Sequence, residues 1–164
     1  MIVQIAGFSL ADVSLHHAEN ADKLALVEGW LQHADTVYIW NGLGANVILP
    51  HGDVMAQALH IKELAGLGVK GYFAEGATWP GSDMVDLRVF LAARLTFDAS
   101  LDITTLVKEF LVTYYGGGAA AAKVHQYITL MATAFASGNR SVDFTGRVMD
   151  PLEAKHNGLG PNSR

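Results

Sequence analysis

Apolar residues follow two rhythms along the chain. Short runs rich in β-branched and aromatic residues lie at Ile2–Phe8 (IVQIAGF), Thr36–Asn41 (TVYIWN) and Val69–Glu75 (VKGYFAE), with little alternation between apolar and polar. Such continuity over so short a length marks strands covered on both faces, as in a parallel sheet. Between the runs the spacing changes. In ADKLALVEGWLQHA, the residues Leu24, Val27, Trp30 and Leu31 recur at helical intervals and predict an amphipathic helix with Trp30 on its core side. In VMAQALHIKELAGLG, Met55, Leu59 and Ile61–Leu64 do the same, with Asp53 as a cap and Gly66 and Gly68 as the stop.

From Ser82 onward the pattern is helical. SDMVDLRVFLAARLTF offers Ser82 or Asp83 as a cap and a wide apolar face through Val85, Leu87, Phe90, Leu91 and Leu95. LDITTLVKEFLVTYYGGG starts from Asp102 and stops at its glycines, and AAAAKVHQYITLMATAFASG forms a further helix. Beyond Gly138 periodicity is lost, so residues 1–138 are expected to form the folded unit and 139–164 an irregular or disordered tail.

The predicted order is β-α-β-α-β followed by three helices. This is an α/β chain, a partial TIM-type (β/α) barrel with three parallel strands at about 2–8, 36–41 and 69–75, crossover helices and a C-terminal helical segment. Three parallel strands leave open edges whose backbone groups invite pairing, so self-association through the sheet edges is expected, or continuation of the sheet in residues outside this sequence.

Composition narrows the partners. The chain has 164 residues, 51% apolar and 16% charged, which suits one folded core. Eleven basic against sixteen acidic residues give a formal charge of −5, arguing against a phosphate-neutralising surface and hence against nucleic acid. MIVQIAGF lacks a cationic start and is too short to span a bilayer, so neither a secretion signal nor a membrane partner is expected. With no cysteine, the sequence reports no redox compartment and assigns no location. The NRS triplet at Asn139–Ser141 is a sequon that matters only in a secreted protein.

Ligands of parallel α/β proteins bind outside the carboxyl ends of the strands. That rule selects Trp40 and Asn41 at the end of the second strand, Glu75 at the end of the third, and Trp79 in the loop beyond. A carboxylate and an amide can hydrogen-bond sugar hydroxyls while indole rings pack against the C–H faces of a pyranose, so a carbohydrate ligand is expected, with Glu75 the catalytic candidate and Trp40, Asn41 and Trp79 substrate-binding. The alternative for Glu75 is structural: it bonds loop amides or pairs with Arg88. Glycoside hydrolysis ordinarily needs two carboxyl groups. Asp12, Asp53 and Asp83 read better as loop or cap residues, leaving one rim candidate. No cofactor or metal is expected: His16 and His17 are adjacent, no H-E-x-x-H occurs, and GLGANVILPHG lacks the later glycine of a dinucleotide loop.

Taken in succession, WLQHADTVYIWNGLGANVILPHGDV, GVKGYFAEGATW and DLRVFLAARLTFDASLDITTLVKEFLVTYYG resemble the C-terminal half of proteins of the domain-of-unknown-function family 4838, over Trp30 to Tyr127. The resemblance implies a glycoside-hydrolase-type (β/α)8 barrel in which these strands are the last three of eight. It further implies that Glu75 sits at the mouth of the final strand, Trp40 and Asn41 at the mouth of the one before, and Arg88 and Tyr114–Gly116 in the scaffold. The family's W-D-Y reads Trp40, Asn41, Gly42 here, so an amide stands in place of an acid. The chain is therefore expected to be a fragment of a carbohydrate-active barrel that binds sugar, hydrolysis requiring the missing units. The alternative is a small non-catalytic α/β protein that pairs through an open sheet edge.

Overall fold

The structure is a computed structural model, described here for residues 1–6, 10, 13–42, 54–75 and 83–138. Among these residues, β1 (Ile2–Ile5), α1 (Ala21–His33), β2 (Thr36–Gly42), α2 (Val54–Leu67), β3 (Gly71–Glu75), α3 (Val85–Phe97), α4 (Ile103–Tyr115) and α5 (Gly118–Gly138) follow one another. The strands form a sheet of order β1-β2-β3, parallel throughout, as predicted. It is an open sheet, not closed into a barrel.

Register assigns each strand position to a face. Val3 pairs with Val37 and Ile5 with Ile39, which in turn pairs with Tyr72. These side chains cluster with Leu24, Val27 and Leu31 of α1 and Leu64 and Leu67 of α2. Two right-handed crossovers in the same direction carry both helices to one side of the sheet, so one face is a core. The opposite face holds Ile2, Tyr38 and Phe73, which are 70%, 38% and 52% exposed.

A second core lies among the helices and reaches β3 through Tyr72 and Ala74. Val54, Ala58 and Ile61 of α2 meet Leu87, Leu91 and Leu95 of α3, Leu106, Val107 and Leu111 of α4, and Ala121 and Ile128 of α5. The helix ends follow local chemistry. Asp102 Oδ1 accepts from Thr105 N at 2.7 Å and Thr105 Oγ1 at 2.8 Å, the expected cap. α4 ends at Gly116 with φ 74°, and Gly117 and Gly118 are left-handed as well, so the turn into α5 uses a backbone shape that side chains oppose.

The first connection is tied to α2 by polar groups. The Glu63 carboxylate accepts from Ser14 Oγ at 2.6 Å and Leu15 N at 2.7 Å, and His60 Nε2 donates to Val13 O at 2.5 Å. Asn20 Nδ2 donates to Ser14 O at 3.0 Å and Val13 O at 3.3 Å. These bonds hold Leu15 down in the sheet-side core.

Five expectations change. The strands, expected to be covered on both faces, are covered by helices on one, with Ile2, Tyr38 and Phe73 exposed on the other. β1 ends at Ile5, and Gly7–Ser9 lie outside the described residues. β3 starts at Gly71 because Val69 N bonds Leu64 O and so completes the end of α2 instead. α3 has neither expected cap: its N-cap is Met84, left-handed at φ 51° and without a side-chain bond, while Ser82 lies outside the described residues. Trp30 is 38% exposed rather than buried. At 100° per residue it points about 90° away from the Leu24–Val27–Leu31 seam. The Asp53 cap and the 139–164 tail lie outside the described residues.

Ile39 is fully buried at the centre of the sheet. Ile39→Ala should lower unfolding free energy by about 2–5 kcal/mol, measured by urea titration. The Thr105 bonds hold the Asp102 carboxyl below the ordinary aspartate value of 3.8. Its contribution is therefore complete above that pH and lost as pH falls through the lower folded value. Asp102→Ala should reduce the melting temperature at pH 7 and flatten its acid dependence.

Candidate functional site

The three strands end at one pole of the sheet. Trp40 pairs with Phe73, Asn41 with Ala74 and Gly42 with Glu75, so the strand-end positions selected from the sequence share that rim. They do not share a face.

Asn41 has the strand parity of Val37 and Ile39 and lies under the helices, 4% exposed. Its Nδ2 donates to Tyr72 Oη at 2.9 Å. A buried amide needs such a partner, and the bond joins the carboxyl ends of β2 and β3 from behind. Tyr72 packs against both cores, so Asn41 fixes the rim through a well-held side chain.

Trp40 lies on the other side. Its ring meets Phe73 edge to face, with centroids 5.3 Å apart and planes at 84°. This arrangement suits the ring quadrupoles. The pair occupies the register row immediately before Gly42–Glu75, and position 75 has the backbone parity of Gly71 and Phe73. Trp79, like Asp12 and Asp53, lies outside the described residues.

Phe73, Tyr38 and Gly71 were not selected from the sequence. The signal was present as period-two spacing: Tyr38 and Trp40 in YIW, Gly71 and Phe73 in GYF. Gly71 faces Tyr38 so closely that a Cβ there would lie 2.1 Å from Tyr38 Cδ1. The missing side chain is what lets the ring lie across β3.

Beyond the rim, Asp83 is occupied. Its Oδ2 accepts from Tyr127 Oη at 3.0 Å, and its backbone oxygen accepts from Arg88 Nε at 2.8 Å. Burial, then the Asp83 charge and the hydrogen bond to it, push the Tyr127 hydroxyl up to about 12. Arg88 is buried at the start of α3 and Tyr115 packs against the helical core, both scaffold positions. Among the described residues, no group of three or more His, Asp or Glu side chains is arranged to hold a metal ion, and no helix is long and apolar enough to cross a membrane.

The profile of the domain of unknown function DUF4838 matches residues 2–129, from β1 into α5. The chain belongs to that family. No curated protein and no solved structure matches the chain. The match covers the succession of strands and helices from β1 into α5 and carries no activity with it.

Gly71→Ala should destabilise this DUF4838 chain by roughly 1–3 kcal/mol, because the Tyr38 ring must leave its place; chemical denaturation measures it. Stability should also fall as pH rises from about 10, the unfolded tyrosine value, through about 12, the folded value of Tyr127. Below pH 10 the contribution is complete. Tyr127→Phe should reduce this alkaline loss in pH-dependent melts.

Proposed function

We propose that this DUF4838 chain forms one wall of a carbohydrate-binding cleft in a glycoside-hydrolase-like (β/α) architecture. In this reading the sugar packs against Trp40, with Trp79 as a second platform, and Glu75 hydrogen-bonds its hydroxyls. One observation carries the reading: the Trp40–Phe73 pair stands at the carboxyl end of a parallel sheet, on the face without helices, one register row before Glu75. Carboxyl ends of strands are where such architectures bind ligands. Asn41 takes a positioning role, holding Tyr72 from the covered face.

Binding, rather than turnover, is the function proposed for the chain by itself. Hydrolysis in most glycosidase families uses a pair of carboxyl groups across the scissile bond. Glu75 is the rim candidate, and the Asp83 carboxylate is engaged by Tyr127. Catalysis would require a second acid from additional barrel units.

The test is a glycan-array screen followed by calorimetric titration of the strongest hit. Trp40→Ala should weaken binding at least tenfold, with Trp40→Phe intermediate. Glu75→Gln should weaken it while moving the melting temperature by less than about 2 °C. Unchanged affinity in all three variants would refute the cleft, and a large stability loss in Glu75→Gln would make the carboxylate structural.

A second reading is favoured by the sheet edges. Among the described residues, the outer edges of β1 and β3 have no strand partner. We propose as the alternative a non-catalytic interaction protein that pairs through an edge. Size-exclusion chromatography with light scattering decides: a concentration-dependent dimer supports edge pairing, and a monomer across the micromolar range counts against it.

A further inference from the structure

Leu26 and Trp30 are exposed on α1, a helix whose other large apolar residues pack on the sheet. The direction they take follows from the crossovers. On α2, at 100° per residue, His60 and Glu63 lie to one side of the sheet-facing Leu64 and bond the connection that leads from β1 into α1, whereas Val54, Ala58 and Ile61 lie to the other side and meet α3. α1 runs parallel to α2, and Trp30 and Leu26 are turned about 90° and about 130° from its sheet-facing seam in the sense of His60 and Glu63. They therefore point away from α2, on the side of the outer edge of β1.

That edge is open in its backbone as well. Met1 O accepts from Thr36 N, and a parallel ladder repeats every second residue, so Val3 and Ile5 bond β2 while the N–H and C=O groups of Ile2 and Gln4 face outward. Among the described residues no strand takes them. The β3 edge differs, because the helix layer beside it is filled by α3, α4 and α5 packing on α2. At β1 both layers end together, as a strand edge with an apolar helix flank beside it.

A second copy of the chain completes both layers at once. We infer that two copies pair β1 to β1, antiparallel, about a twofold axis normal to the sheet. Ile2 of each copy then lies opposite Gln4 of the other, where an antiparallel pair exchanges both of its backbone bonds. The axis keeps the helices of both copies on one face. Strands pair about 4.8 Å apart and helices pack about 8–10 Å apart, so the two α1 helices come to lie side by side, Leu26 of one against Trp30 of the other.

The flank is about 20 Å long, from the 13 residues of α1 at about 1.5 Å each, and about 20 Å deep through the strand and helix layers, a footprint on the order of 400 Å². This is about half of what a standard interface takes from each partner, so the dimer is weak. The inference rests on the edge-pairing reading above and names the edge and the partner. It leaves the rim and the open sheet face uncovered and so is independent of the carbohydrate reading.

The experiment is sedimentation equilibrium of the chain from about 1 to about 500 μM, where a monomer–dimer equilibrium with a midpoint of roughly tens to hundreds of micromolar is expected for so small a footprint. Trp30→Glu and Leu26→Glu, at exposed positions, should each weaken dimerisation at least about tenfold, circular dichroism confirming the fold. Gln4→Pro removes an outward N–H and no bond to β2, and should do the same. The chain has no cysteine, so Leu26→Cys should cross-link copies through a bismaleimide, while Phe97→Cys, exposed at the end of α3, should not. A dimer that none of the three interface variants weakens, or that cross-links at position 97 and not at 26, overturns the inference and leaves pairing at the β3 edge. A monomer throughout overturns the inference and the edge-pairing reading together.

Discussion

Everything in this structure depends on the two crossover helices lying on the same side of a parallel sheet. Val3, Ile5, Val37 and Ile39 are buried because α1 and α2 cover them, and their strand neighbours Ile2, Tyr38 and Phe73 are exposed because the helices do not reach around. Parallel sheets are ordinarily covered on both faces. Here a single sheet gives a core on one side and, on the other, a surface on which aromatic side chains stand close to the strand ends.

Much of the fold was legible because its elements are strongly patterned. Runs such as TVYIWN mark strands, and the spacing of Leu24, Val27 and Leu31 marks a helix, but the expected cover on both faces of the strands is met on one face alone, Tyr38 being exposed on the other. Where the reading failed, a three-dimensional constraint outweighed a local one. Val69 looks like strand but completes the end of α2. Trp30 has helical spacing yet stands off the seam, since membership of an apolar pattern does not fix the angle about the helix axis. Asp83 has the chemistry of a cap but bonds Tyr127, leaving Met84 to begin α3 in a left-handed conformation.

The candidate site was legible in the pole its backbone positions occupy and not in its faces. Choosing residues by strand end brings Trp40, Asn41 and Glu75 to one rim, which is where their backbones lie. Adjacent strand residues nevertheless point to opposite sides, so Trp40 and Asn41 cannot address one ligand from the same surface. Applying the two-residue period from Trp40 leads to Tyr38, and across the register to Phe73 and Gly71. Family membership spans these elements and leaves the chemistry to these side chains.

The position of α2 has a consequence for how the molecule comes apart. It contributes Leu64 to the sheet-side cluster and Val54, Ala58 and Ile61 to the helical one, and Tyr72 touches both. Melting either cluster strips this shared helix of packing partners, which couples the two. The sheet and helices α3 to α5 are therefore tied through one helix, and loss of packing on either side is felt on the other.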